Sequence, residues 1–338
     1  MRGATRALRI GLALAAIGLA LDPRIMLGGA LEDTQARRVR PGHRPQPPES
    51  EKPSVPLPQE PTSPEIISLH SDLVLVTVGV LGPRGEWVTG LGPDDFEILE
   101  DGVPQQIAFF SGEAALPLRL VVLVDTSLSV KNRLEFEKQA VARFFRSVMR
   151  PRDLAALISV STEPVLRQSF TEDVAQLVSA VRGLKAEGAT ALYDALVVAA
   201  EHLATIEGRR AIVILSDGRD TVSRATLGQA LRRVQEVGAT VYAINVDEPL
   251  SANVRDLIGE TSLELLARQT GGEVFSPTQV EELDPIFARL VEQLRTQYVL
   301  GFYSTNEARD GAFRRLTVRV KRDGVIARAR AGYYAPRR

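Results

Sequence analysis

Asp125, Ser127 and Ser129 occupy alternate positions in the stretch Asp125-Thr126-Ser127-Leu128-Ser129, which could turn one carboxylate and two hydroxyls toward a common point. Thr190 follows within Gly188-Ala189-Thr190, and Asp217 within Leu215-Ser216-Asp217-Gly218. All five donors are hard oxygens, with no imidazole or thiolate among them. Such a set selects Mg2+, Mn2+ or Ca2+ over zinc or copper. Hydroxyls bring no negative charge. An ion held directly by Ser127, Ser129 and Thr190, with the aspartates acting partly through water, would stay electron-poor. An open coordination position would then attract an outside carboxylate. The first three residues alone carry little weight, because Asp-x-Ser-x-Ser also occurs in turns and helix caps.

Donors from three distant segments need a rigid edge to bring them together. Open parallel sheets provide one at the carboxyl ends of their strands. The apolar run 118–124 ends in Asp125, and the run 211–215 ends in Ser216-Asp217-Gly218. Gly188-Ala189-Thr190 opens a helix that begins at Ala191. Further apolar runs cover 154–160 and 240–246. Leu134, Val141, Phe145 and Val148 recur at helical spacing, and other helical patterns cover about 172–183, 191–206, 224–236, 255–269 and 280–295. Runs apolar on both faces that alternate with amphipathic helices specify a Rossmann-like, doubly wound α/β fold with a mainly parallel sheet. Residues 165–170 follow too closely for a crossover helix, so they are expected to form an antiparallel edge strand.

Strand-like texture flanks this unit on both sides. Before it, in 65–113, Val74, Val76, Val78 and Val80 alternate with Leu73, Leu75, Thr77 and Gly79, and Gly82-Pro83-Arg84-Gly85 makes a turn. Asp101-Gly102 signals a hairpin, with 107–110 as the returning strand. After it, in 297–338, residues 298–303 form a strand. Leu316, Val318 and Val320 then alternate with Arg315, Thr317, Arg319 and Lys321. Asp323-Gly324 is expected to turn the chain so that 325–334 returns. Each group alone is too small to bury a core. The economical arrangement pairs them into one small β-sandwich, with the α/β unit of 114–296 inserted between its strands. The stripe Arg315, Arg319, Arg328 and Arg330 reads either as a solvated sheet face or as a ligand-facing strip.

The N-terminal 30 residues read as a signal peptide. Arg2, Arg6 and Arg9 precede the apolar or small run 10–21, which is too short to span a bilayer but suits a secretory leader. The mature chain is expected to begin between about residues 21 and 31. It should be exported to the periplasm, cell envelope or extracellular space, with no integral membrane span after cleavage. Residues 31–64 read as a disordered linker, because nine prolines remove backbone donors and favour extended conformations. The basic piece Arg37-Arg38-Val39-Arg40 reads as part of a solvated tether or as a contact to an anionic envelope surface. A net charge of −1 gives no global field for nucleic acid. The absence of cysteine excludes disulfides, thiolate metal sites and a cysteine nucleophile. The three histidines, His43, His70 and His202, are scattered over unlike segments.

Taken together, the five donors resemble the metal-ion-dependent adhesion site of the von Willebrand factor A (VWA) family, which includes the integrin inserted domains. That motif is Asp-x-Ser-x-Ser, a later threonine and a later aspartate. Asp125, Ser127, Ser129, Thr190 and Asp217 match it in type and order. The resemblance covers roughly residues 116–296. Val88-Thr89-Gly90-Leu91, the stretch 95–102 and Gly332-Tyr333-Tyr334 more loosely resemble exported A-domain proteins described from Acidobacteria. The resemblance implies a bacterial adhesion or protein-binding role, with a partner's Asp or Glu carboxylate completing the metal's coordination, and no catalysis. Two rivals stand beside it. One is a metal-dependent phosphohydrolase, which needs a second carboxylate at position 127, where this chain has serine. The other is a scaffold with a purely structural metal. Asp220, Thr221 and Asp194 read either as supports for the ligands or as helix caps. His202 and Trp87 read as ordinary surface or packing residues.

Overall fold

The computed structural model describes residues 73–112, 115–246 and 257–337; the expected signal peptide and the expected linker lie outside the described residues. Alternating valines define the first strand, β1 (Leu73–Leu81), and Val76, Val78 and Val80 are fully buried. Next come β2 (Phe96–Glu100), β3 (Val103–Gln105) and β4 (Ile107–Ser111). Asp101 and Gly102 adopt φ of 47° and 86°, as a two-residue hairpin loop requires. The strand that returns from this turn is β3, not 107–110. Pro104 has no backbone donor, so β3 stays a short edge strand. Gln105 then pins the exit: its side-chain amide accepts from the Thr305 N–H at 3.1 Å and donates to Thr305 Oγ1 at 3.0 Å. The chain crosses there, and β4 enters a different sheet.

The α/β unit follows as β5 (Leu118–Asp125), α1 (Leu134–Val148), β6 (Leu154–Val160), β7 (Val165–Thr171), α2 (Val174–Arg182), α3 (Leu192–Ala204), β8 (Arg209–Ser216), α4 (Leu227–Glu236), β9 (Thr240–Asn245), α5 (Leu257–Thr270), β10 (Val274–Phe275) and α6 (Leu283–Arg295). Its six-stranded sheet has the order β10-β9-β8-β5-β6-β7. All neighbours run parallel except β7, which lies antiparallel to β6 at the edge, as its short connection dictates. Side chains of β5 alternate between two cores. Leu120, Val122 and Val124 pack toward α1, α2 and α6, while Val121 and Leu123 pack toward α3, α4 and α5. The central strand is therefore apolar on both faces until it reaches Asp125.

The chain closes with β11 (Tyr298–Tyr303), β12 (Phe313–Val320), β13 (Ile326–Ala329) and β14 (Gly332–Tyr334). These strands hydrogen-bond to the N-terminal ones. One four-stranded sheet has the order β13-β1-β11-β4, and the other β14-β12-β2-β3. Asp323-Gly324 does not turn β12 back on itself. Only Gly324 of the pair has positive φ, at 74°, whereas the tight hairpin needs both. The chain instead crosses to β1 through β13 and returns beside β12 as β14. A shared apolar core fills the space between the sheets, including Val78, Ile98, Tyr298, Leu300 and Phe302. A polar network is buried with it. Arg314 lies 3.2 Å from Glu100 and also donates to Ser304 Oγ, while the Tyr333 hydroxyl donates to Glu100 Oε2 at 2.8 Å.

Polar contacts join these sheets to the α/β unit. Arg328 meets Glu273 at 2.6 Å, and Arg232 lies over the Tyr334 ring at 4.5 Å. Arg209, buried at the start of β8, donates to Leu294 O and to Gln297 Oε1, just before β11. Ending the chain at residue 296 would remove β11–β14, leave β1 and β4 without their sheet partners and β2 without β12, and expose the apolar side chains of the shared core. The shortened chain is expected to aggregate or to lose amide protection in 73–110 by hydrogen exchange, while an isolated 114–296 fragment stays folded. Native-like protection of 73–110 in the shortened chain would contradict this.

Candidate metal centre

The apolar run of β5 carries Asp125 to the carboxyl edge of the sheet, where the side chain is 1% exposed. Two hydrogen bonds fix it. Ser216, the last residue of neighbouring β8, donates its hydroxyl to Asp125 Oδ2 at 2.9 Å, and the Ser127 N–H donates to Oδ1 at 2.9 Å. The second bond closes the chain into a tight turn directly after the strand. Ser127 Oγ and Ser129 Oγ then lie 2.8 Å apart.

Backbone bonds lace the other two segments to this loop. The Thr126 N–H donates to Val160 O, at the end of β6, and the Leu128 N–H to Gly188 O. Glu187 N–H donates back to Thr126 O at 2.6 Å. Gly188 has φ of 74°, and a Cβ there would lie 2.4 Å from Thr162 Oγ1, so the approach to Thr190 demands glycine. Thr190 itself is 5% exposed. Its N–H donates to Thr221 Oγ1 at 3.0 Å, and its carbonyl accepts the Thr221 N–H at 2.9 Å. The Thr190 hydroxyl makes no hydrogen bond among the described residues. Asp217 follows Ser216 and accepts the Arg219 N–H at 2.9 Å. Gly218, at φ 82°, lets this loop close on Gly259 in α5.

The three uncertain polar residues now have places. Thr221 supports Thr190 directly. Asp220 Oδ2 accepts the Tyr193 N–H at 3.0 Å, capping α3, the helix that precedes it in sequence. Asp194 receives the N–H groups of Arg224 and Ala225. These bonds lock the 220–225 loop against the start of α3. Trp87 packs over Gly79, and His202 lies on α3.

This donor set fits a hard divalent cation. Adjacent ligands of an octahedral Mg2+, each at 2.0–2.1 Å from the ion, stand roughly 2.9 Å apart. The two serine hydroxyls have that spacing. Asp125 and Asp217 would supply the charge, and the Thr190 hydroxyl makes no hydrogen bond among the described residues. Among the described residues no group of three or more His, Asp or Glu side chains could hold a metal by itself.

Glu137 is a residue of this region that motif matching does not reveal. It sits on α1, 1% exposed, with Oε1 paired to Arg133 at 2.8 Å and Oε2 without a hydrogen-bond partner. Burial pushes its pKa up to about 7. Arg133 opposes the rise, and the nearby charges of Asp125 and Asp217 add to it. A glutamate three residues after Leu134 and four before Val141, on the apolar face of the helix, is the sequence signal that marks it.

One comparison with known proteins falls on the same segment. Residues 120–219 match the family model of the von Willebrand factor type A domain. That interval holds all five donors. A human protein, von Willebrand factor A domain-containing protein 3B, is 26% identical over 159 residues. The match takes in 46% of this chain and spans only 11% of the human protein's length. Similar solved structures include the conserved hypothetical protein BatB from Bacteroides thetaiotaomicron, with TM-score 0.44, 16% identity and coverage of 53% of this chain and 100% of that one. The von Willebrand factor type A protein from Catenulispora acidiphila gives TM-score 0.46, 13% identity and coverage of 79% and 74%. The vWF domain of the type V pili tip protein Mfa5 from Porphyromonas gingivalis gives 0.45, 16%, 52% and 94%.

The raised pKa of Glu137 has a stability consequence in metal-free buffer. Below pH 4.5 the group is neutral in both folded and unfolded chains. Between pH 4.5 and about 7 the unfolded chain releases its proton while the folded chain keeps it, so stability falls as pH rises. Glu137→Gln removes that slope. The variant is expected to match wild type at pH 4 and to exceed it at pH 8, by up to about 3 kcal/mol, in urea titrations. Parallel stability profiles for the two proteins would contradict the assignment.

Proposed function

We propose that this chain is an exported VWA-type protein that holds a divalent cation at Asp125, Ser127, Ser129, Thr190 and Asp217 and uses it to bind a protein partner. Mg2+ is the proposed ion, with Mn2+ or Ca2+ as substitutes, and the partner contributes an Asp or Glu carboxylate. One observation carries this reading: three loops are hydrogen-bonded together at the carboxyl edge of one sheet, each bearing oxygen donors. When bound, the cation supplies a Lewis-acidic coordination position for an anionic oxygen. The remaining work belongs to the chain. Ser216 and the Ser127 N–H orient the Asp125 carboxylate, Thr221 positions Thr190, and Gly218 holds the Asp217 loop against α5. Leu128 and Val222, 62% and 43% exposed, flank these loops and give a protein partner apolar surface to cover.

The proposed role is binding and adhesion rather than catalysis. Export to the periplasm, envelope or medium is inferred from the N-terminal 30 residues, as for the Acidobacterial proteins that the flanking strands resemble. Among the described residues no helix is long and apolar enough to cross a membrane.

A ligand that binds only the folded state at a hundredfold excess over its Kd stabilises by about 2.7 kcal/mol. For a unit of this size that raises Tm by roughly 5–10 °C. Mg2+ or Mn2+ is expected to produce such a rise in calorimetry, and chelator to reverse it. Asp125→Ala should remove most of the response. Thr190→Ala should weaken partner capture from an envelope extract more than folding, because it deletes a neutral ligand and no charge. Identical melting of wild type and Asp125→Ala, with and without metal, would make the loop purely structural. Turnover of phosphate esters would favour the phosphohydrolase.

A further inference from the structure

A cleft of about 820 Å3 opens at the amino ends of the strands, the opposite end of the central sheet from Asp125. It lies between the start of β8, the α4–β9 connection and the outer face of β1. One wall is apolar: Leu73 and Leu75, 38% and 42% exposed, with Val237 and Val299. Tyr333 and Tyr334 add aromatic surface. Pockets of 300–1,000 Å3 suit small organic ligands.

Three guanidinium groups line the cleft without an ion-pair partner among the described residues. Two are each held by three hydrogen bonds to uncharged acceptors. Arg209 donates to Leu116 O, Leu294 O and Gln297 Oε1, and Arg210 donates to Ile206 O and Val237 O. Arg330 differs. A guanidinium has five donor hydrogens. Among the described residues the only acceptor Arg330 has is Leu75 O, at 2.8 Å from Nη2. Its buried Nε has no partner, and the group rests beside the Tyr333 ring at 5.5 Å. Burial brings its pKa down only to about 10, so it stays cationic at neutral pH. The group as a whole is half-buried, but its Nε–H is shut away from water with no acceptor, which is costly unless a guest supplies one.

The carboxylates of the cleft are poorly placed to do so. Glu236 is held by Arg232 and Arg233. Glu307 makes no ion pair among the described residues, and its charge together with that of Glu236 disfavours a doubly charged guest. Arg314 is already committed to Glu100. Arg330 is thus an under-used cation beside an apolar wall.

We propose that this cleft binds a small amphiphilic monocarboxylate, its head on Arg330 and its apolar chain along Leu73 and Leu75. The guanidinium edge accepts a carboxylate through paired N–H donors. The chain covers leucines that otherwise face water. The site shares no residue with the metal centre.

Calorimetric titration of octanoate into the full chain tests this, with octanol and acetate as controls. Octanoate is expected to bind saturably and to raise Tm by about 5 °C at a hundredfold excess over its Kd. Octanol and acetate, each lacking one half of the ligand, should bind at least tenfold more weakly. Arg330→Gln should weaken octanoate at least tenfold and leave Mg2+ binding unchanged. If that variant does not fold, Leu75→Asp, at an exposed position of the wall, should produce a comparable loss by charge repulsion. Octanoate binding no better than octanol, or undiminished by whichever substitution folds, would overturn the proposal.

Discussion

The pairing of Asp125 with Ser216 is the contact on which the carboxyl edge depends. A carboxylate buried at the end of an apolar strand is expensive unless its oxygens are satisfied. Here the neighbouring strand supplies a hydroxyl to one oxygen, and the loop's own Ser127 N–H serves the other. The first bond ties β5 to β8 where their ladder ends. The second decides that the chain turns sharply, placing Ser127 and Ser129 side by side. The positions of Thr190 and Asp217 follow from the same edge, because Gly188 and Ser216 are bonded to that turn or to Asp125 itself. Glu137 carries the electrostatic cost. With two aspartates nearby and little water, it retains its proton to about neutral pH.

A second constraint operates at the other end of the molecule. Strands from both ends of the chain share two sheets, and Glu100, Arg314 and Tyr333 form a buried polar knot between them. Glu100 precedes the α/β unit, and Arg314 and Tyr333 follow it. The Arg209–Gln297, Arg328–Glu273 and Arg232–Tyr334 contacts then attach the sheets to the α/β unit. The cleft occupied by Arg330 is a product of this junction, since its walls come from both sides.

Much of this was legible in the sequence, for identifiable reasons. Strands apolar on both faces and helices with one apolar stripe have distinct periods, so the parallel sheet and its antiparallel edge at 165–171 could be read directly. The five oxygen donors stand out because they cluster just after an apolar run or just before a helix. What escaped depends on partners far away in sequence. Asp101-Gly102 and Asp323-Gly324 look alike as dipeptides, yet only the first has both residues at positive φ. Where β4 and β13 go is decided by which sheet has a free edge, not by the turn. The two-residue β10 is too short to show a period. The arginine stripe also divides. Arg315 and Arg319 face solvent, whereas Arg328 and Arg330 turn toward the α/β unit. The sheet to which each strand belongs makes that difference.

The central claim is that Asp125, Ser127, Ser129, Thr190 and Asp217 act as one ligand set. Electron paramagnetic resonance of Mn2+ measures this without any partner, because free and protein-bound Mn2+ give distinct signals. Titration of the metal-free full chain should show saturable binding of a single Mn2+ that Mg2+ displaces. Asp125→Asn, which keeps the shape of the side chain and removes its charge, should abolish that binding while the fold remains intact by circular dichroism. No saturable Mn2+ binding to the wild type, or the same binding in the Asn variant, would contradict the account.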